Sequence, residues 1–363
     1  MNPVCSVGVV LFCLMAVVPV GAATRVTIAQ LQQFLASKQA TKESDEDIAD
    51  RLSAVALSQE LAGQVLTRIL AEESSRPKTA EQIELMAAES VFNAPPLEEW
   101  PQEPAPDKAT QQRMIDAART YVTGTLHALP DFLAIRVTRR FDNRLADFKP
   151  KHGKPRAQMR PAGENRREIA YRNGHEVEPA ATGSGSAAGA GLSTWGEFGG
   201  ILKVVLNDAF SGLVAWERWQ RNEAGAVVAV FRYEIPEASS HYSVDFCCYR
   251  VLREIPMELP FNAKPGYHGE LFVDPRDGSI DRITVEADLK ESDPVVTSAM
   301  AVQYGRVAIG GRQFICPVRA VAVTEVHNLE MEAIDAVGME KHVNLVEFRN
   351  YRKFGSTVRI RPD

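Results

Sequence analysis

The sequence predicts an α+β fold: short N-terminal helices followed by a curved, half-barrel-like antiparallel β-sheet with a helix packed on it. Three observations carry this expectation. Apolar residues recur at helical spacing up to about residue 127, the period changes to two from Leu133, and turn signals then punctuate the chain to its C-terminus.

Residues 1–23 read as a secretory signal peptide. Residues 3–23 contain no Asp, Glu, Lys or Arg and close on Val20, Gly21, Ala22 and Ala23, an A-x-A-like cleavage site. An uncleaved membrane anchor is the rival reading, but the apolar core from Val7 to Val20 falls short of the ~20 residues a spanning helix needs. A lipoprotein signal is disfavoured, since Cys13 follows the bulky Phe12 and Cys5 precedes the apolar core. No other stretch approaches transmembrane length. The expectation is an exported chain, periplasmic or secreted, with no stable membrane span after cleavage.

An acidic helical segment is predicted over residues 24–94. Thr27 with Gln30 forms a capping box ahead of Ile28, Leu31, Phe34 and Leu35. Ser44 opens a helix with Ile48, Leu52 and Val55 inward, Ser58 restarts one with Leu61, Val65, Leu66 and Ile69, and Thr79 with Gln82 repeats the box before Ile83 and Met86. Helices this short must pack on each other or on the later domain. Pro95, Pro96, Pro101, Pro104 and Pro106 make residues 95–107 a linker that favours extended backbone.

Residues 108–363 are the expected antiparallel β domain. A leading helix at about 108–127 ends before Pro130. Leu133, Ile135, Val137 and Phe141 then alternate with polar residues as a half-buried strand, and Asn173-Gly174 marks a tight hairpin. The Gly/Ser/Ala run at 183–191 reads as a loop. An inserted helix places Phe198, Ile201, Leu202, Val205, Leu206 and Phe210 at helical spacing and must lie on the sheet. Strands follow at 213–219, 227–235, 242–249, 268–273, 279–287, 295–304, 313–323, 342–349 and 357–360, a meander large enough to curl.

Charge excludes one partner class. Residues 24–130 hold 10 basic and 16 acidic side chains and the remainder 31 of each, so the net charge of −6 sits in residues 24–130, the helical segment with the linker and leading helix. An acidic surface argues against nucleic acid. The basic stretch 136–172, with 12 basic against 4 acidic residues, is explained as well by a solvated sheet edge as by an anion site.

Three cysteines follow the signal peptide, and an oxidising compartment would pair two of them. Strand parity favours Cys248 with Cys316, with Cys247 to Cys316 as the alternative. No C-x-x-C redox site is present. His241 with the cysteines matches no common zinc spacing, and His268-Gly269-Glu270 lacks the P-C-x-x-C partner of zinc deaminases, so no metal and no cofactor is expected. No nucleophile elbow, Walker loop or dinucleotide fingerprint occurs, and no catalytic residue is assigned. Trp195, Phe198, Trp216, Trp219, Phe231, Tyr233 and Tyr242 are concentrated around the inserted helix and first long hairpin. They are either core between helix and sheet or the lining of an apolar ligand cavity.

The stretches TIAQLQQFLA, YVTGTLHALPDFLAIRVTRRFDN, GLSTWGEFGGIL, VFRYEIPEASSHYSVDFCCY, GYHGELFVDPRDGSIDRITVEADL, YGRVAIGGRQFICPVRAV and VEFRNYRKFGSTVRI resemble a family of exported proteins from Gram-negative soil bacteria. The resemblance runs from residue 27 to the C-terminus and implies export, but brings no activity or catalytic residue with it. In architecture alone the expected curved sheet with its helix is similar to the periplasmic lipoprotein carriers (LolA-like half-barrels) and related envelope-stress sensors, which hold acyl chains or lipoproteins. The leading expectation is therefore a non-enzymatic periplasmic protein that binds a lipid or lipoprotein acyl chain, with the helical segment as lid or as a surface for an envelope protein. A secreted hydrolase built on buried carboxylates and a structural or interaction module of the cell envelope are the alternatives.

Overall fold

Capping chemistry sets where the N-terminal helices begin. The computed structural model describes residues 24–37, 43–143, 159–177, 200–209, 213–251, 257–327 and 339–354. The expected signal peptide, the 183–191 loop and the strand at 357–360 lie outside them. Ahead of α1 (Ile28–Ala36), the Gln30 N–H donates to Thr27 Oγ1 at 3.2 Å and the Thr27 N–H donates to Gln30 Oε1 at 2.8 Å, the reciprocal box read from the sequence. Ser44 caps α2 (Asp45–Leu52) by accepting from the Asp47 N–H.

Three local expectations in this segment are corrected. Val55 is not helical: β2 (Val55–Leu57) pairs in parallel with β1 (Thr24–Val26). Ser58 does not restart a helix, because its hydroxyl donates to the Val26 carbonyl beside this strand pair, and α3 (Gly63–Glu72) begins later without a side-chain cap. Helix α4 (Pro77–Glu89) begins at Pro77 instead of at a Thr79–Gln82 box, since proline is pre-set for the first helical position and its missing N–H is no loss there. The cap for α4 comes from another helix. The Asp45 carboxylate accepts from the Lys78 N–H at 3.0 Å, the Thr79 N–H at 2.9 Å and the Thr79 hydroxyl at 2.7 Å. Ile28, Leu31, Ile48, Leu61, Ile69 and Ile83 close these elements around their own core.

After the proline-rich stretch comes α5 (Lys108–Ala128), capped by Asp107. The strands are β3 (Phe132–Asp142), β4 (Arg160–Arg172), β5 (His175–Val177), then, beyond α6 (Gly200–Ala209), β6 (Leu213–Arg221), β7 (Val227–Ile235), β8 (Val244–Val251), β9 (Met257–Ala263), β10 (Tyr267–Val273), β11 (Ile280–Ala287), β12 (Val295–Ile309), β13 (Arg312–His327) and β14 (Met339–Lys353). Ten of them form one antiparallel sheet in the order β5-β4-β3-β14-β13-β12-β11-β10-β7-β6, which is not closed. Asn173 and Gly174, with φ of 50° and 81°, turn β4 into β5 as expected. Among the described residues strands β8 and β9 pair only with each other. The apolar alternation does not announce β9, which carries Pro260; a two-stranded hairpin tolerates a proline that a central strand would not.

Both faces of the sheet are covered. On one face α5 and α6 bury Val122 and Val205 against Phe132, Phe231, Ile283 and Val302. The turn between β10 and β11 abuts α5 so closely that a Cβ on Gly278 would lie 2.5 Å from the Ala117 carbonyl carbon. On the other face Leu85 of α4 packs on Phe141, Val323 and Val343, and Lys341 pairs with Glu89 at 3.1 Å. This double cover overturns the expected inward set of the first long strand. Phe132 and Ala134 join the α5/α6 core, while Phe141 faces the helical unit, because alternation marks an inside only where one face meets water.

Partial burial pushes the Asp45 carboxyl up, but the Lys78 and Thr79 hydrogen bonds outweigh it and hold the pKa below the ordinary value of 3.8. A depressed carboxyl stabilises the fold above its unfolded pKa, and that contribution is lost as pH falls through the folded one. Asp45→Ala is expected to cost about 1 kcal/mol at neutral pH. Urea denaturation followed by circular dichroism checks this, and the deficit relative to wild type should shrink in acid.

Candidate functional site

The aromatic residues singled out by the sequence come together as packed core. Trp195 and Phe198 lie outside the described residues. Trp216 meets Trp219 and Phe231 edge-on, with ring centroids 4.8 Å and 5.6 Å away, and Tyr267 contacts both Tyr233 at 6.0 Å and Tyr242 at 5.3 Å. Their polar atoms are engaged internally. The Tyr233 hydroxyl donates to the Thr284 carbonyl across Gly269, where a Cβ would stand 2.0 Å from that carbonyl oxygen and 2.7 Å from the hydroxyl. The Tyr267 hydroxyl donates to Asp208 of α6 at 2.9 Å, and the Trp219 indole donates to the Pro104 carbonyl at 2.9 Å. Burial pushes the Tyr233 hydroxyl well above its ordinary range, and burial with the Asp208 carboxylate does the same to Tyr267, so both stay neutral donors. The proline-rich stretch is thus fastened to β6.

The cysteines do not share a sheet. Cys316 lies on β13 of the ten-stranded sheet, whereas Cys247 and Cys248 lie on β8 of the separate hairpin, with side chains outside the described residues. Cys316 is a buried free thiol within the α5/α6 core. The expected pairing of Cys316 with Cys248 or Cys247 rests on partner side chains outside the described residues. Parity within strands says nothing of which sheet a strand joins. Burial pushes the Cys316 thiol up to about 12.

The opposite face carries a cleft of about 300 Å³ beneath the helical unit. Its floor follows from strand register. One cross-strand row runs Arg282, Gln303, Arg319, Glu347, and the next runs Thr284, Ala301, Val321, Leu345, Arg139. The first row is polar and the second mostly small and apolar. The roof is Leu61, Ala62, Leu66 and Leu70 before and within α3, with Ala87 and Ala88 at the end of α4 and Val91 in the turn after it. Ala62, Ala87 and Ala88 of the roof and Ala301 of the floor are among the lining residues, small side chains where larger ones would fill the space.

At one end of this cleft the charges are buried. Glu60, in the turn between β2 and α3, is 5% exposed, Arg282 8%, Gln220 6% and Arg218 3%. Both terminal nitrogens of Arg282 donate to the Glu60 carboxylate, one at 3.1 Å, and Gln220 Nε2 donates to Glu60 Oε2 at 2.7 Å. Gln220 Oε1 accepts from Arg218 Nε at 3.0 Å and Nη2 at 2.8 Å, and Arg218 also pairs with Glu270. Phe272 lies between the two arginines, its ring centroid 3.9 Å from Arg282 and 5.9 Å from Arg218. Burial pushes the Arg282 pKa down, Glu60 pushes it up, and the net shift is upward, so the guanidinium stays charged. Removing one member of such a buried pair costs about 3–5 kcal/mol. At the outer rim Arg139 pairs with Glu84 at 3.1 Å and Arg319 with Glu223.

None of these residues stands out in the sequence. Arg282 alternates with Ile283 and shares parity with Thr284 and Glu286, a pattern that reads as the wet side of a strand. The one available signal is Glu60 set between the apolar Leu57 and Leu61. Elsewhere, buried Asp208 accepts from the His241 N–H at 2.9 Å and meets His241 Nδ1 at 2.6 Å, fastening the β7 to β8 connection to α6. Among the described residues no group of three or more His, Cys, Asp or Glu is placed to hold a metal ion, and no helix is long and apolar enough to cross a membrane. Comparison with family models, curated proteins and solved structures found no match.

Two measurements check these assignments. Gly269→Ala should destabilise the protein by about 1–3 kcal/mol, because a methyl group collides with both backbone and the Tyr233 hydroxyl; calorimetry reads this. In native protein at pH 8, Cys316 should resist iodoacetamide and become alkylated on unfolding without added reductant. Peptide mass spectrometry distinguishes this from a disulfide.

Proposed function

We propose that the protein is an exported, non-enzymatic binding protein of the cell envelope, whose ligand is amphiphilic and lies between the helical unit and the sheet. The helical unit is the lid. The half-barrel curvature of the sheet gives the ligand a floor, as in the periplasmic lipoprotein carriers, and the ligand class is a lipid or lipoprotein acyl chain. The acidic outer surface of the lid is the surface offered to an envelope protein.

The observation that carries this reading is the two-part cleft: alanine and leucine above alanine and valine, next to a row of arginines and glutamine. Its volume of about 300 Å³ sits at the lower end for small-ligand sites. In this reading the ligand lies on the face opposite the aromatic cluster that the sequence suggests. A hydrolase would need carboxylates poised against each other in a cleft. Here Glu60, Glu84, Glu223 and Glu347 each meet an arginine, namely Arg282, Arg139, Arg319 and Arg349. An interaction module would present a broad apolar patch. Among the described residues Val177 and Leu213, two of the exposed large apolar side chains, lie at opposite edges of the sheet.

Purified protein should release a lipid on solvent extraction. Ala88→Leu with Ala301→Leu, which fills the cleft from roof and floor, should abolish that lipid while leaving the circular dichroism spectrum unchanged. Retention of the lipid by the filled variant would sink the cleft as its site.

A further inference from the structure

We infer that the Glu60 carboxylate stands in for the headgroup of the ligand, and that the natural occupant of the Arg282–Gln220 cradle is the monocarboxylate of an acyl chain lying in the cleft. This rests on the cleft being the ligand site. Glu60 and Arg282 both line the cleft, so its polar end is the cradle itself. The cradle offers one carboxylate a complete set of donors: both terminal nitrogens of Arg282 and the Gln220 amide. Gln220 cannot turn its amide away, because its oxygen is held by Arg218.

Charge selects the class of headgroup. Arg282 and Arg218 pair with Glu60 and Glu270, and the carboxylates of Glu99, near Glu60, and Asp281, near Arg282, add negative charge at this end of the cleft. Departure of Glu60 leaves the buried Arg282 guanidinium without its ion-pair partner; a monoanion replaces that charge one for one, whereas a phosphate dianion adds further negative charge near Glu270, Glu99 and Asp281. Glu60 also sits where its departure matters to the lid. It lies between β2 and α3, with its N–H donating to the Ala94 carbonyl at 2.9 Å, and the next N–H, of Leu61, donates to Ser90 Oγ at 2.8 Å. An incoming carboxylate that displaces the Glu60 side chain therefore detaches the lid from the sheet at the buried end of the cleft. Occupancy and lid position are coupled through competition for a single guanidinium.

The test titrates the full chain with sodium decanoate, decyl phosphate and decanol by isothermal titration calorimetry. Glu60→Ala vacates the cradle, so decanoate should bind it about tenfold more tightly than it binds wild type, while decanol binds the two equally. Decanoate should also raise the melting temperature of Glu60→Ala more than that of wild type. Glu60→Gln, which keeps an oxygen acceptor for Arg282 and no charge, should show the same tightening if the alanine variant fails to fold. Equal decanoate affinity across wild type and the foldable Glu60 variant overturns the inference, as does a preference of the variant for decyl phosphate. Those outcomes leave the cleft standing if decanol binding is lost in the Ala88→Leu, Ala301→Leu protein. Failure of wild type and variant alike to bind decanoate or decanol overturns the cleft as well.

Discussion

The helical side of this protein depends on one carboxylate held away from water. Glu60 is buried by the sheet it touches, and desolvating a carboxylate is costly unless its charge and lone pairs are met. Arg282 and Gln220 meet them, Arg218 holds Gln220, and Glu270 balances Arg218, so each member of the chain requires the next. Apolar contact between Leu85 and Phe141, Val323 and Val343 favours docking but is non-directional. The bidentate pair adds direction: Glu60 reaches both arginine nitrogens in one placement of the helical unit.

The remaining cross-connections on that side are weaker in kind. Arg139 and Glu84 are 37% and 40% exposed, and the exposed Arg319–Glu223 pair joins two parts of the sheet and does not reach the helical unit. Exposed pairs of this sort contribute between nothing and about 1 kcal/mol each. The attachment of the helical unit is thus concentrated in the Leu85 contact, the half-buried Lys341–Glu89 pair and the Glu60 cradle.

What was legible in the sequence was local. The Thr27–Gln30 box, the Ser44 cap, the 108–128 helix and the Asn173-Gly174 turn are written in residues that act on their immediate neighbours. What was illegible was long-range. Asp45 capping α4 across 34 positions, the pairing of β1 with β2 and the meeting of Glu60 with Arg282 across 222 leave no periodic trace. The strand-parity reading went astray for a related reason. It assumes a dry face and a wet face, whereas Phe132 and Phe141 of one strand are buried on opposite sides of the same sheet. The candidate site fell between these two failures, since its arginines lie on strand faces that alternation assigns to solvent.

The two faces of the sheet are built differently, and that difference bears on function. Under α5 and α6, beside the edge-on aromatic contacts, the Gly269 notch filled by Tyr233 and the approach of Gly278 to Ala117 each substitute a close contact for a side chain. Under the helical unit Leu61, Leu66, Ala87 and Ala88 lie above Ala301 and Val321, and a gap of about 300 Å³ persists. A close-packed face resists deformation, whereas a loosely filled one held by a few separable contacts opens first. Displacement of the helical unit breaks the Glu60 cradle and the Leu85 contact but touches none of the aromatic contacts, which lie on the other side of ten paired strands. The contacts that join the helical unit to the sheet are thus separate from those that join α5 and α6 to it, which is what the proposed lid requires.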